Sequence, residues 1–335
     1  MLKFLKNTKI FNLVDNSRNF GNFGKFGNNL ISKNFSNQSQ QEQIKNEEKK
    51  NINQNPFEQN NSGSADYTSF GFKTVKKEER QNLVNTVFAN VASKYDVMND
   101  AMSLGVHRIW KNEFVNSIGL LKPNLIYDSN GKYREEKMRI IDVAGGTGDI
   151  SFRIWQKARD YSRSYFSIMP VEIKVIDINA NMLEVGQMRA KEMNIPDEDI
   201  QWIESNAETL SFLPDNSVDL YTIAFGIRNC TNLDKVLKEA YRVLKKGGRF
   251  MCLEFSHVQV PVLSSIYDFY SFNIIPELGH LVANDRESYQ YLVESIRKFP
   301  DQENFKRIIR EAGFEAVNYI NLSGGICAIH SGIKL

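Results

Sequence analysis

The sequence predicts a doubly wound α/β fold: a mostly parallel sheet with helices on both faces, a C-terminal antiparallel hairpin and helical cover elements. The first observation behind this prediction is an apolar, β-branched run at 140–143 that meets the turn Ala144-Gly145-Gly146-Thr147-Gly148, with helix-compatible sequence from Asp149. The second is that apolar strand-like runs recur five times between 138 and 255, separated by helical patterns. Such alternation is typical of parallel strands joined by crossover helices.

The glycine turn is the first candidate binding element. It follows an acid, Asp142, in the pattern Asp142-x-Ala144-x-Gly146-x-Gly148. Glycine permits positive φ and lets a ligand approach the backbone, and the helix start beyond it offers free N–H groups. The spacing does not match the dinucleotide fingerprint G-x-G-x-x-G or the phosphate-binding loop. A turn that only closes a strand–helix junction is the alternative.

The second strand is predicted at 171–178 and ends with Asp177. A carboxylate at this position can accept hydrogen bonds from both hydroxyls of a ribose, because it is an acceptor only. Asp177 lies twenty-nine residues past Gly148, more than the usual spacing of about twenty, and a loop at 158–170 is predicted to account for the surplus. A solvated surface acid is the alternative.

The remaining strands follow in order. The third, at 200–203, leads to Asn206-Ala207, where backbone and side-chain groups can bracket an adenine ring. The fourth, at 217–225, leads to Gly226-Ile227-Arg228-Asn229. A helix at 234–244 with a glycine stop precedes the fifth strand at 249–255. Two closing strands are predicted at 316–321 and 325–333.

Three segments divide the chain. Residues 1–40 carry six Lys and Arg residues and one acid among apolar residues, which is typical of a mitochondrial transit peptide. A disordered, asparagine-rich tail is the alternative. Residues 41–66 are polar and bury almost nothing, so they are predicted to be a flexible linker. The folded domain is predicted to span 67–335.

Composition limits the classes of function. At 335 residues, 41% hydrophobic and 24% charged, the chain is long enough for a sizeable core. A net charge of +2 gives no reason to expect a nucleic-acid partner. Three cysteines and four histidines show no metal-ligand spacing, so no metal is predicted. No run of about eighteen apolar residues occurs, so no membrane span is predicted.

Two segments outside the sheet are candidates for the substrate side. Residues 76–120 show helical periodicity, and the aromatic- and Met-rich segment at 95–110 within them is predicted either to cover the binding cleft or to pack on the sheet for core alone, with His107 on a helix surface. Residues 258–300 are unusually aromatic. They are predicted to form either the wall of a channel for an apolar substrate, or a helical pair buried in the core or in a homodimer interface.

These residues resemble a family as well as a fold. The turn after Asp142 resembles motif I of the S-adenosylmethionine-dependent methyltransferases. Collinear segments over 72–335 are similar to the ubiquinone/menaquinone-biosynthesis C-methyltransferase family. The FGIRN and SYQYLVESIRKFP segments are not general methyltransferase features, which makes the resemblance specific. The matching segments are VFANVASKYDVMNDAMSLGVHRIWK, DVAGGTGDI, DINANML, SNAETL, FGIRN, VLKKGGRFMCLEFS, IPELGHLVANDRESYQYLVESIRKFP and GGICAIHSG.

The resemblance implies a class I methyltransferase sheet that binds S-adenosyl-L-methionine as the methyl-donor cosubstrate, without a metal. The implied donor-binding residues share the carboxyl ends of the first three strands. They are Asp142, Gly145, Gly146, Thr147, Asp177, Asn206 and Ala207. Some members of the family have Ser where Ala224 stands, so any hydroxyl contact there is lost.

The candidate catalytic residues are Arg228, Asn229 and Tyr95. A hydroquinone becomes a good carbon nucleophile when its hydroxyl loses a proton, and a nearby cation stabilises the phenolate. Arg228 is expected to provide that cation and to leave proton removal to water, since arginine stays charged. Asn229 would orient the ring or a water, and Tyr95 would complete the pocket. A structural salt bridge is the alternative role for Arg228.

With a transit peptide, the resemblance implies the mitochondrial ubiquinone branch, which methylates a ring carbon of a methoxy-polyprenyl-benzoquinol. Other ubiquinone-biosynthesis proteins, in a multi-subunit complex, and peripheral contact with the matrix side of the inner membrane are the further implied partners. Three alternatives stay open. They are a non-enzymatic scaffold that binds S-adenosylmethionine, methylation of a naphthoquinol, and methylation of a small soluble acceptor.

Overall fold

The computed structural model describes residues 67–91, 99–100, 103, 105–165, 169–283 and 285–335. The predicted transit peptide, the predicted linker and Tyr95 therefore lie outside the described residues. The elements in chain order are β1 (Tyr67–Phe70), β2 (Lys73–Lys76), α1 (Lys77–Val91), α2 (His107–Ser117), β3 (Asn124–Tyr127), β4 (Tyr133–Glu136), β5 (Met138–Val143), α3 (Asp149–Tyr165), β6 (Val171–Asp177), α4 (Ala180–Glu192), β7 (Ile200–Glu204), β8 (Val218–Ala224), α5 (Leu233–Val243), β9 (Leu244–Phe255), α6 (Pro261–Phe269), α7 (Ile275–Ala283), α8 (Arg286–Lys298), α9 (Gln302–Glu311), β10 (Glu315–Leu322) and β11 (Cys327–Ile333).

A seven-stranded sheet in the order β10-β11-β9-β8-β5-β6-β7 forms the centre of the fold. Strands β5 to β9 pair in parallel, whereas β11 pairs antiparallel with both β9 and β10. The predicted doubly wound sheet with a C-terminal hairpin is therefore confirmed. The chain reverses its direction across the sheet at β5, which lies between β6 and β8. Ligands of such sheets bind at this switch point, beyond the carboxyl ends of the strands.

The core lies on both faces of the sheet because successive side chains of a strand point to opposite faces. Ile140 of β5 belongs to a cluster with Trp155 of α3. Its neighbour Ile141 belongs to a second cluster with Val236 of α5 and Phe305 of α9. The near-continuous apolar composition of β5 and β8 follows from this burial on two sides.

The structure corrects the predicted loop at 158–170. Helix α3 continues to Tyr165, and Ala158 is fully buried against the sheet. The spacing between the glycine turn and Asp177 is thus longer because the crossover helix is longer. Two short hairpins, β1–β2 and β3–β4, were not predicted, since their four-residue strands carry too little pattern to distinguish them from loops.

The aromatic segment 258–300 folds into helices. A π-helical turn, Tyr270–Ile274, joins α6 to α7, and α8 packs against α7 around the buried Tyr289. Gly279 of α7 allows this contact, because an added Cβ would lie 2.4 Å from the Tyr289 ring. None of the helices in the described ranges is both long enough and apolar enough to cross a bilayer.

Candidate functional site

The main cavity opens beyond the carboxyl ends of β5, β6, β7 and β8 and contains about 1000 Å³ of empty space, including the part open to solvent. Helix α1 contributes Gln81, Val84 and Asn85 to the wall, and α2 contributes Lys111. The described parts of the segment before the central sheet therefore border the cavity through α1 and Lys111, whereas residues 95–98, 101–102 and 104 of the predicted cover lie outside the described residues.

The glycine turn forms the floor of the cavity, and its backbone is tightly constrained. Gly146 has φ of +53°. An added Cβ on Gly145 would lie 2.7 Å from Val175 and 2.9 Å from the carbonyl oxygen of Asp142. Ala144 has φ of +50° although it carries a Cβ, so it retains backbone strain at the turn. Strain of this kind is common where a backbone must approach a ligand closely.

Asp177 lies at the end of β6 beside this turn. Its carboxylate accepts the Gly146 N–H at 2.9 Å and the Asn179 N–H at 2.8 Å. Burial raises the pKa of Asp177 to about 6, although these backbone donors act in the opposite direction. Near pH 7.5 the group is therefore mainly a carboxylate, whose remaining lone pairs can accept hydroxyl donors from a ligand.

Asp142 also lines the cavity, but its two oxygens are already occupied. Ser151 Oγ donates to one at 2.8 Å, and Thr222 Oγ1 donates to the other at 2.9 Å. Burial raises the pKa of Asp142 to about 6, and the two hydroxyl donors partly offset that effect. Asp142 thus joins β5, β8 and α3 beneath the turn, and this geometry suits a residue that holds the turn in place.

The structure brings the other predicted donor-binding residues to the same cavity. Thr147, Asn206 and Ala207 all line it. Thr147 Oγ1 accepts a hydrogen bond from Arg189 of α4 at 3.0 Å. Asn206 accepts the Glu208 N–H at 2.9 Å, which fixes its amide against the chain that follows β7.

The predicted catalytic pair, Arg228 and Asn229, separates into two environments. Asn229 lines the cavity and accepts a hydrogen bond from Tyr291 Oη of α8 at 3.1 Å. Arg228 is buried outside the cavity lining, and its Nη1 lies 2.7 Å from the Glu254 carboxylate of β9. The buried ion pair supports the structural alternative for Arg228. Its catalytic role stays a prediction.

Sequence reasoning did not single out three polar side chains that shape the site. Arg80 of α1 donates to the carbonyl oxygens of Arg228 and Asn229, at 3.2 and 2.8 Å. Lys111 donates to Asp149 at 2.7 Å, and both line the cavity. Each of these side chains lies far in the sequence from the group that it contacts, so no local pattern indicated the contact. Lys111 was noted only within the helical segment 76–120, and Asp149 only as the start of helix-compatible sequence after the glycine turn.

His107 was wrongly predicted to lie on a helix surface. It is buried, its Nε2 lies 2.9 Å from Asp100, and burial lowers its pKa. The first turn of α2 therefore packs into the protein, which directs Lys111, one turn later, toward the cavity.

A second cavity, with about 550 Å³ of empty space including the part open to solvent, lies between the end of β9 and helices α6, α7 and α8. Its wall is mostly apolar and includes Phe255, Phe272, Ile275 and Leu292. Phe255 packs against Phe225 of the main cavity, with ring centroids 4.9 Å apart. The two cavities therefore lie on either side of one aromatic pair.

The main cavity suits a cationic ligand with an adenosine part. Three carboxylates, Asp142, Asp149 and Asp177, line it, against the single ammonium of Lys111 among the described residues. The cavity also has a glycine turn whose backbone a ligand can approach closely. It has a hydrogen-bond acceptor, Asp177, at the end of β6 and an amide, Asn206, beyond the end of β7. These residues fit S-adenosylmethionine, whose sulfonium and ammonium groups are both positive.

Comparison with known proteins agrees with this interpretation. The sequence model described as the ubiE/COQ5 methyltransferase family matches residues 73–334. A mitochondrial 2-methoxy-6-polyprenyl-1,4-benzoquinol methylase from Arabidopsis thaliana is 54% identical over 275 residues, covering 80% of this chain and 90% of its own. A protein of the same name from Dictyostelium discoideum is 49% identical over 287 residues, covering 80% of this chain and 86% of its own. A ubiquinone/menaquinone biosynthesis C-methyltransferase UbiE from Rickettsia bellii (strain RML369-C) is 49% identical over 268 residues, with coverages of 80% and 99%.

Proposed function

The chain belongs to the ubiE/COQ5 methyltransferase family, and from this premise we propose that it methylates a ring carbon of a 2-methoxy-6-polyprenyl-1,4-benzoquinol in ubiquinone synthesis. The observation that carries the proposal is the 54% identity to a methylase of that name, across 90% of that relative's length. The methyl donor is S-adenosylmethionine, and the residues of the main cavity support its binding.

The donor supplies an electrophilic methyl group on a sulfonium. The chain's own task is to hold that group close to a ring carbon, and alignment of this kind can account for much of a rate acceleration. Gly145 lets the turn pack closely against Val175 and the Asp142 backbone, and Gly146 presents no Cβ beside the cavity residues Met182 and Asp177. Asp177 accepts from the ribose hydroxyls, and Asn206 with Ala207 flanks the adenine. Asp142 and Thr147 hold and line the turn.

Asn229 is the side chain proposed to orient the acceptor ring or a water beside it. It lines the main cavity, and its bonds to Arg80 and Tyr291 fix its position. Arg228 provides positive charge one residue away and would stabilise a phenolate through this segment. The ion pair with Glu254 reduces that charge. Arg228 would therefore have to leave Glu254 to contact the phenolate directly. Tyr95 is proposed to complete the pocket.

The second cavity is proposed to hold the first part of the polyprenyl tail. Burial of apolar chain is favourable by about 0.8 kcal/mol per CH₂, and the wall provides Phe272, Ile275 and Leu292 for it. The position beyond the Phe225–Phe255 pair supports a path from the ring site to this cavity. A homodimer interface is the alternative use of the aromatic helices.

The proposal includes a cellular setting. Residues 1–40 act as a mitochondrial transit peptide, 41–66 as a linker and 67–335 as the methyltransferase domain. Relatives from Arabidopsis thaliana and Dictyostelium discoideum are named as mitochondrial, which supports this setting. A substrate with a polyprenyl tail resides in a bilayer, so we propose peripheral contact with the matrix side of the inner membrane, among other ubiquinone-synthesis proteins.

The test is methyl transfer by the purified protein. Labelled S-adenosylmethionine and a short-tailed 2-methoxy-1,4-benzoquinol are supplied under reducing conditions, and mass spectrometry locates the new methyl group. Methylation of a ring carbon is expected. Methylation of a demethylnaphthoquinol alone would replace the substrate assignment. Donor binding without transfer to either acceptor would favour a scaffold role.

A second experiment tests the tail site. Phe272→Ala removes a ring from the wall of the second cavity, whereas Phe269→Ala removes an exposed ring outside that wall. We expect Phe272→Ala to raise KM for a long-tailed quinol and to leave a short-tailed analogue unaffected, with Phe269→Ala close to wild type for both. Equal losses on both substrates would contradict a tail site.

A further inference from the structure

Lys111 is a buried lysine in the wall of the main cavity, with 5% of its surface exposed. Burying an ammonium is costly unless it is paired. Within the described residues its hydrogen-bond partner is the Asp149 carboxylate, at 2.7 Å. An ammonium has three N–H donors, so one bond to Asp149 leaves capacity for another acceptor on the cavity side.

The charges around Lys111 do not cancel. Asp149 also accepts from Arg153 Nε, at 3.1 Å, so one carboxylate is shared by two cations. Burial raises the pKa of Asp149, but Lys111 and Arg153 outweigh that effect and lower it, so the carboxylate stays ionised. The nearby His107 is neutral near pH 7, because burial lowers its pKa. The group of Lys111, Asp149 and Arg153 therefore carries one net positive charge.

The other charged residues of the cavity are acidic. Asp142 and Asp177 favour the cationic parts of a ligand, and Asp177 lies beside the glycine turn where a ribose fits. An amino-acid ligand also carries an α-carboxylate, which those two acids repel. Among the described lining residues, Lys111 is the side chain with a positive charge to receive it.

We propose that Lys111 is the binding subsite for the α-carboxylate of the methyl donor. Asp149, itself held by Arg153, keeps the ammonium of Lys111 in position for that carboxylate. The inference rests on the proposed function, since it assigns one end of the same ligand. Lys111 distinguishes a donor with an intact amino-acid end from a nucleoside that lacks the carboxylate. Asp149, at the first residue of α3, is a positioning residue.

The test compares two ligands that differ by one group. Calorimetric titration of the full chain is carried out with S-adenosylmethionine and with decarboxylated S-adenosylmethionine. A charge-assisted hydrogen bond in a buried site corresponds to a difference of about 10- to 100-fold in Kd. We expect wild type to prefer the intact donor by this factor and Lys111→Met to lose the preference, with little change for the decarboxylated ligand. Lys111→Arg should retain most of the preference.

Lys157 provides the matched control. It also joins α3 to α2, through a bond to the Val115 carbonyl at 2.9 Å, but it lies outside the cavity wall. Lys157→Met should therefore bind both ligands like wild type. Equal wild-type affinity for the two ligands would overturn the inference without using any variant. Equal losses of both ligands in Lys111→Met would overturn it too, by showing a structural role. Absence of binding of either ligand to wild type would overturn the proposed function itself.

Discussion

Arg228 and Glu254 form an ion pair of 2.7 Å in the interior, where 2% and 1% of their side chains are exposed. The pair connects the turn that carries Asn229 to the neighbouring strand β9. Burial raises the pKa of Glu254, and the positive charge of Arg228 acts against that effect. The backbone N–H groups of Phe255 and Arg228 also donate to this carboxylate, and the guanidinium of Arg228 supplies the opposite charge. This arrangement links the stability of the fold to a predicted catalytic residue.

Removal of either Arg228 or Glu254 alone should therefore destabilise the folded protein. Arg228→Met leaves a buried carboxylate unpaired, and we expect the free energy of unfolding to fall by about 3–5 kcal/mol. The double variant Arg228→Met/Glu254→Leu replaces the pair with apolar groups and should recover most of this loss. Urea denaturation at pH 7 measures both. A double variant no more stable than the single one would contradict the pairing.

The same double variant tests the catalytic prediction. If Arg228 stabilises the phenolate, the folded double variant should bind S-adenosylmethionine normally and lose at least about 100-fold in kcat, in line with the loss of one oxyanion donor. Near-normal turnover by a folded double variant would assign Arg228 a purely structural role. The comparison separates stability from chemistry, which the single variant cannot do.

Arg80 gives a prediction about the positioning of the site. Its guanidinium donates to the carbonyls of Ser69, Arg228 and Asn229 and so ties β1 and α1 to the turn beside the cavity. Arg80→Met should lower kcat more than it changes donor affinity, because it frees the segment that carries Asn229. Lys77→Met, an exposed change in the same helix, is the control. Steady-state kinetics with donor titration checks it, and a pure loss of donor affinity would count against a positioning role.

Much of this site could be predicted from the sequence because it follows strand ends. Gly146, Asp177 and Asn206 lie within three residues of the last apolar residue of a strand, and parallel strands bring such residues to one edge of the sheet. The length of α3 was missed because its second half, from Ala158, is rich in Arg, Ser and Tyr. Its buried face becomes apparent only where it packs on the sheet.

The environment of Arg228 could not be predicted from local pattern. Whether it faces the cavity or Glu254 depends on the rotation of the turn after β8, where Phe225 has φ of +57°. The Arg80–Asn229 and Lys111–Asp149 contacts likewise join residues that lie 149 and 38 positions apart, respectively. Such contacts arise from tertiary packing, and no spacing rule within one element contains them.

A pH dependence of donor binding follows from Asp177. Its pKa in the folded protein is raised by burial to about 6, and a ribose is best bound by the ionised form. Affinity for S-adenosylhomocysteine should therefore fall below pH 6, by up to tenfold per pH unit. Titrations between pH 5 and 8 measure this. Asp177→Asn should bind more weakly at all pH values and show a flatter profile.

Whereas donor affinity should fall in acid, the contribution of Asp142 and Asp177 to the free energy of unfolding should rise. The folded state holds protons on Asp142 and Asp177 more tightly than the unfolded state, whose pKa is near 3.8. These two groups therefore add stability as the pH falls from about 6 toward 4. The Asp142→Asn/Asp177→Asn double variant should lack that contribution in pH-dependent urea denaturation. An unchanged pH dependence would show that burial does not raise the pKa of these two acids.

The last prediction concerns the contact between the glycine turn and the turn after β8. A Cβ added to Gly226 would lie 2.4 Å from the Ala144 methyl group, so Gly226→Ala should destabilise the protein by about 1–3 kcal/mol. Ala144→Gly removes that methyl group and suits the positive φ at this position. The double variant should then be more stable than Gly226→Ala alone. Thermal unfolding of the four proteins gives the coupling between the two changes. Additive effects would mean that the two turns do not meet as the structure places them, and the shape of the donor cavity would have to be reconsidered.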